Sequence, residues 1–197
     1  MYNKLPNLVI AFHGCDEDVY KKVIQNNEPL KFSYNSYDWL GNGVYFWESN
    51  RQRVLEWAED KVKKGEYKKA SVVGAVIDLG YCLNLTDSSY VPVLERAYTL
   101  ASNRFKVENK QMPQNIGGKD SLLRYLDCAV IEQLHDYFEL LGYKPFDSVR
   151  GIFLEGNEIY AGSGFYQKTH VQICIRNPNC IKGYFAPLDE NPQFDLP

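Results

Sequence analysis

Apolar positions along this chain alternate between short continuous runs and stretches of helical period. Leu8-Val9-Ile10-Ala11-Phe12 is a β-branched and aromatic run, which predicts a buried strand ending at His13-Gly14-Cys15. Asp16 is placed to cap a helix whose Val19, Tyr20, Val23 and Ile24 recur at helical spacing and stop near Asn26-Asn27. Residues 31–43 mix aromatic and polar types without a period, so a loop or irregular strand is expected. Their aromatics, Phe32, Tyr34, Tyr37 and Trp39, suit either a flat ligand or the core. Gly41-Asn42-Gly43 predicts a tight turn that feeds the buried strand Val44-Tyr45-Phe46-Trp47-Glu48. Ser49 or Asn50 then caps a helix over about 51–64, with Val54, Leu55, Trp57, Ala58 and Val62 apolar and Gly65 as its stop.

Further along, the run from Ser71 to Asp78 predicts a strand, extended toward Leu85 with Gly80 as a bulge. Helical period then dominates. Pro92 suits a first turn, and Val93, Leu94, Ala97, Tyr98 and Ala101 give one apolar face; a polar loop is expected over 106–119. A second helix opens at Asp120 or Ser121 and carries Leu122, Leu126, Ala129, Val130, Leu134, Tyr137, Phe138 and Leu141 to a stop at Gly142. His135 is expected on it, partly exposed. Strands at 149–155 and 171–176 flank a glycine-containing loop with the aromatics Tyr160, Phe165 and Tyr166, and 180–185 adds a short last strand. Gln172 interrupts an apolar run, so its amide is either satisfied internally or directed into a site. The acidic tail after Pro187 is expected to be loosely held.

With 197 residues and 45% hydrophobic content the chain can bury one sizeable core, so a single domain over 1–197 is expected. The net charge of −3 excludes a surface built throughout for nucleic acid and leaves room for a local basic patch. Lys61, Lys63, Lys64, Lys68 and Lys69 are the densest such cluster; the interspersed Asp60 and Glu66 favour a solvated helix end, with phosphate contact as the alternative. Five cysteines, an odd number without CxxC spacing, read as free thiols in a reducing compartment. Together with an N-terminal apolar run too short for a signal core or a span, this predicts a soluble cytoplasmic protein with no membrane partner. His135 lacks a second ligand at metal spacing, so no metal is expected.

Three separated segments, His13-Gly14 at a strand end, Gly41-Asn42-Gly43-Val44-Tyr45-Phe46 ahead of a helix, and Gln172 leading Ile173-Cys174-Ile175, resemble the H-Y-E arrangement of the poly(ADP-ribose) polymerase and diphtheria-toxin class of ADP-ribosyltransferases. The resemblance covers most of residues 8–185. It implies an α+β fold, a split β-sandwich of two mostly antiparallel sheets flanked by helices, here with a helical insertion over about 88–146, and an NAD cleft between the sheets. It assigns His13 to the NAD ribose, Gly14 to the nicotinamide amide through its backbone, and Tyr45 to stacking on nicotinamide. Trp57 resembles the second aromatic of that clamp if one extra residue is allowed; a buried helix tryptophan is the alternative.

The departure from the family is Gln172, which stands where the usual catalytic glutamate does. Cleaving the nicotinamide glycosidic bond builds oxocarbenium charge, which a carboxylate stabilises better than a neutral amide. An amide still accepts a hydroxyl hydrogen bond but cannot serve as a base. The resemblance therefore implies transfer of a single ADP-ribose unit from NAD, with His13, Tyr45 and Gln172 as the catalytic set and the loop from Gly156 to Lys168 meeting the acceptor. Glu155 and Glu158 are alternative sources of the missing carboxylate, surface charge being their plainer reading. The acceptor is RNA, DNA or protein, the setting that of an intracellular toxin or defence effector with an inhibitory partner protein. The alternative function is a catalytically inactive NAD- or ADP-ribose-binding module of the same fold.

Overall fold

A computed structural model of the chain describes residues 8–189 and 191–194. Its centre is a seven-stranded sheet built on β1 (Val9–Asp16), the apolar run that opens the chain. All eight residues of β1 pair antiparallel with β3 (Ala70–Ile77), whose outer edge takes β9 (Ile181–Phe185). On the other side β1 meets β2 (Val44–Glu48) through only two residue pairs, Ala11 with Glu48 and Phe12 with Trp47. Beyond β2 lie β8 (His170–Ile175), β7 (Ser148–Phe153) and β4 (Cys82–Asn84), in that order; the β4–β7 pair is parallel. Ala11, Cys15, Val73 and Ala75 from one half share a single buried cluster with Val44, Phe46, Ile173 and Ile175 from the other. The fold is α+β, and where two mostly antiparallel sheets were expected the strands form one large mixed sheet with a weak β1–β2 seam, an arrangement consistent with a split sandwich.

The opposite face of the sheet carries helices. α2 (Arg51–Lys63) covers the seam through Val54, which packs with Trp47 and Val72. α3 (Val91–Val107) and α4 (Tyr125–Leu140) pack Ala97, Ala101, Val130, Ile131 and Leu134 over Leu40, Val149 and Cys174. α1 (Glu17–Gln25) places Val23, with Tyr20 and Ile24 beside it, against the inner cluster. Asp16 caps α1 through the Glu17 N–H and Asn50 caps α2 through the Arg53 N–H, as their residue types require.

Several local expectations are corrected. β1 continues through His13, Gly14 and Cys15 to Asp16, because β3 supplies partners along its whole length. Gly80 is not a bulge: at φ +58° it turns the chain out of β3, and β4 joins the opposite edge of the sheet. α4 begins at Tyr125, since Leu123 and Arg124 pair with Asn115 and Ile116 in a small second sheet of β5 (Asn115–Ile116) and β6 (Leu123–Arg124). The Asn115 side-chain oxygen accepts the Leu126 N–H at 2.9 Å and so caps α4 from a neighbouring segment. His135 is buried, its Nδ1–H donated to the Ile131 carbonyl at 2.8 Å. All five cysteines are buried free thiols.

Candidate functional site

The seam fixes the first candidate residue. Past the pair Phe12–Trp47 the backbones of β1 and β2 part, and the carbonyl of Tyr45 loses the β1 partner that a continuous ladder would supply. His13 replaces it: imidazole Nδ1 lies 2.8 Å from Tyr45 O. A carbonyl only accepts, so Nδ1 carries the proton and neutral His13 presents Nε2 as an acceptor. Burial holds this imidazole below its ordinary range, with the bond to Tyr45 opposing, so the neutral form is favoured. Among the described residues Nε2 has no hydrogen-bond partner. By strand alternation His13 shares its parity with Ala11 and Cys15, and its ring centroid is 5.9 Å from that of Phe46.

Tyr45 and Gln172 project from the opposite face. Tyr45 is opposite Cys174 and Trp47 opposite Gln172, which places Tyr45 and Gln172 as diagonal neighbours on the helix-covered side. His13 therefore meets the backbone of Tyr45 and not its ring. The phenol hydroxyl is committed to the turn before it, donating to Gly41 O at 2.6 Å and accepting the Leu40 N–H at 2.8 Å. Burial pushes its pKa up, which keeps it a neutral donor.

Gln172 is 8% exposed and oriented by a residue the sequence reading left out. His170, two positions earlier on the same face, donates Nδ1–H to Lys168 O at 2.6 Å. Its Nε2 is therefore an acceptor and receives the amide N–H of Gln172 at 2.9 Å. With the amide nitrogen engaged, Oε1 is the free end of Gln172, an acceptor with no hydrogen-bond partner among the described residues. Period-two parity was the available signal for His170.

The remaining candidates close the face around Gln172. A Cβ built on Gly14 would stand 3.0 Å from Val54 O and 3.1 Å from Trp57, so glycine at 14 permits the close approach of α2 to β1. Trp57 packs against Trp47 with ring centroids 5.5 Å apart, and Trp47 reaches His170 at 5.9 Å. Glu155 is not surface charge: both its oxygens accept from Arg53 Nη2, at 2.9 and 3.0 Å, in a pair whose side chains are 6% and 13% exposed. Glu158 is exposed and accepts the Gly162 N–H. The lysine cluster is largely spent on ion pairs, Lys61 with Glu66, Lys63 with Asp60, Lys68 with Asp18 and Lys69 with Glu17, which favours the solvated reading.

A cleft of about 420 Å³ opens beside this face between α3, α4 and β7, lined by Trp39, Leu40, Leu94, Arg124, Val130 and Phe153 among others. Gly151, which pairs with Gln172, borders it. Arg124 caps the aromatic wall, its guanidinium 4.5 Å from the Trp39 ring and 5.1 Å from Phe153. The described residues hold no cluster of three or more metal-ligating side chains. No helix among them is long and apolar enough to cross a membrane.

No family model matches the chain. A curated relative, the uncharacterized protein MJ0359 of Methanocaldococcus jannaschii, is 23% identical in an alignment that covers 87% of this chain and 83% of that protein. No solved structure matches.

Proposed function

We propose that this protein is a mono-ADP-ribosyltransferase of the H-Y-E type that takes NAD as co-substrate. The observation that carries the reading is a pair of oriented acceptors near the β1–β2 seam: His13 Nε2 and Gln172 Oε1, each left free because a main-chain carbonyl fixes the imidazole that sets it. Acceptors of this kind suit hydroxyl donors, and the two riboses of NAD offer several; because His13 and Gln172 stand on opposite faces of the strands, they take hydroxyls from opposite sides of the seam. In the reading, His13 and Gln172 hold NAD ribose hydroxyls while Tyr45 supports the turn that shapes the nicotinamide end. Gln172 orients the sugar as positive charge develops, without acting as a base. The acceptor, nucleic acid or protein, approaches the loop between β7 and β8, where Ile159, Tyr160 and Phe165 are exposed.

One observation favours a second reading, a binding module without turnover. Gln172 is neutral, and the nearby carboxylate of Glu155 is already neutralised by Arg53. NAD labelled in the nicotinamide separates the two: released label supports the transferase, saturable binding without release supports the module, and neither outcome ends both.

A further inference from the structure

Seven buried side-chain polar atoms lack a partner among the described residues, and four of them belong to three residues around Glu155 and His170. These are Trp47 Nε1, Arg53 Nε, Arg53 Nη1 and Thr169 Oγ1. Arg53 is 94% buried by its 6% exposure, yet it spends only Nη2 on Glu155. Leaving charged donors buried and unused is costly, so such a group is expected to have a partner in some state of the protein. Arg53 also sits in the first turn of α2, where the unpaired N–H groups of the helix favour negative charge.

We propose that Arg53, Trp47 and Thr169 form an oxyanion site for a phosphate ester group, and that Glu155 occupies it as an internal counter-anion which the ligand displaces. Three N–H donors and a hydroxyl come from α2, β2 and the residue before β8, segments linked here by the Arg53–Glu155 pair and the Trp47–His170 ring contact. That donor set suits a diphosphate, which offers two non-bridging oxygens on each phosphorus, better than a planar carboxylate. Glu155 opens the loop that closes on itself through Lys168 N–H to Glu155 O at 2.9 Å, so releasing its side chain frees one anchor of that loop to α2. The inference deepens the reading above and rests on it for the ligand, whose diphosphate would take this place; the site itself is defined by the donors.

The test measures binding of inorganic diphosphate and of NAD by calorimetry and by melting temperature, in wild type, Glu155→Gln, Arg53→Lys and Trp47→Phe. Removing the internal anion should tighten diphosphate binding by at least about tenfold and give Glu155→Gln the larger ligand-induced rise in melting temperature. Arg53→Lys should lose most of the binding, since a single ammonium cannot present the guanidinium's array of donors. Folded Glu155→Gln that binds diphosphate no tighter than wild type overturns the proposal. Should Glu155→Gln fail to fold, Trp47→Phe decides: several-fold weaker binding supports the site, and equal binding overturns it. Diphosphate bound as described without any affinity for NAD leaves the site standing and removes NAD as its ligand. NAD bound and consumed with equal efficiency by wild type, Arg53→Lys and Glu155→Gln removes the site and leaves the transferase reading.

Discussion

Gln172 donates its amide N–H to Nε2 of His170 at 2.9 Å, and this contact decides which end of the amide remains free. A glutamate at 172 has no proton to donate in its ionised form, so the contact survives only if His170 takes one up. Burial lowers the wild-type His170 pKa, opposed by its bond to the Lys168 carbonyl. Gln172→Glu is therefore expected to raise it, as a carboxylate beside Nε2 favours the imidazolium. Nitrogen-detected NMR titration of His170 in the two proteins reads this directly, and an unchanged pKa would contradict the contact. In the transferase reading the same variant hydrolyses NAD faster; an unchanged rate would count against placing Gln172 at the position of the family's glutamate.

Acid should destabilise the fold through its histidines. All three are held below the ordinary imidazole range, each chiefly by burial, and His135 falls to about 4. The unfolded chain takes up protons near pH 6.5 while the folded chain resists. Stability is thus fully present above about pH 6.5 and declines as the pH falls toward 4. His135 alone contributes about 3 kcal/mol to that decline. Urea unfolding between pH 7 and pH 4 measures the slope, and His135→Leu should remove about 3 kcal/mol of the decline.

Two glycines with similar backbones should respond differently to a methyl group. Gly41 at φ +78° and Gly65 at φ +75° both occupy the left-handed region. A Cβ on Gly65 meets nothing within 4 Å, whereas one on Gly41 runs into the Glu132 carboxylate and Ile131 Cγ2. Gly65→Ala is expected to cost about 1 kcal/mol, the backbone term alone. Gly41→Ala should cost about 3 kcal/mol, because it also displaces the Glu132 carboxylate that accepts from Asn42 and Arg176. Equal costs in denaturant unfolding would contradict the described packing of the turn.

The parts of this fold that a local pattern specifies were legible in the sequence. The caps at Asp16 and Asn50, the turn ahead of β2 and the stops at Gly65 and Gly142 depend on neighbouring residues, and the structure places them accordingly. What the sequence hid depends on distant partners. Asn115 caps α4 across a loop, β4 leaves its expected neighbour for the far edge, and His135 is buried against Phe146 rather than partly exposed. The same division holds at the site. The resemblance pointed to His13, Tyr45 and Gln172, but it did not reveal that His13 bonds the main chain of Tyr45 from the other strand parity. Nor did it reveal His170, which orients the amide. Arg53 was invisible for a plain reason: an arginine on an amphipathic helix reads as solvated unless its buried carboxylate is known.

The central claim is that His13 Nε2 and Gln172 Oε1 each accept a ribose hydroxyl of NAD, and the nitrogen chemical shift of His13 Nε2 during NAD titration tests it most directly. The account predicts that this unprotonated nitrogen moves toward the hydrogen-bonded range in a saturable manner, with Gln172→Ala weakening the NAD affinity that the titration reports. A His13 Nε2 signal that stays in place while NAD is saturating, or NAD that does not bind at all, would contradict it.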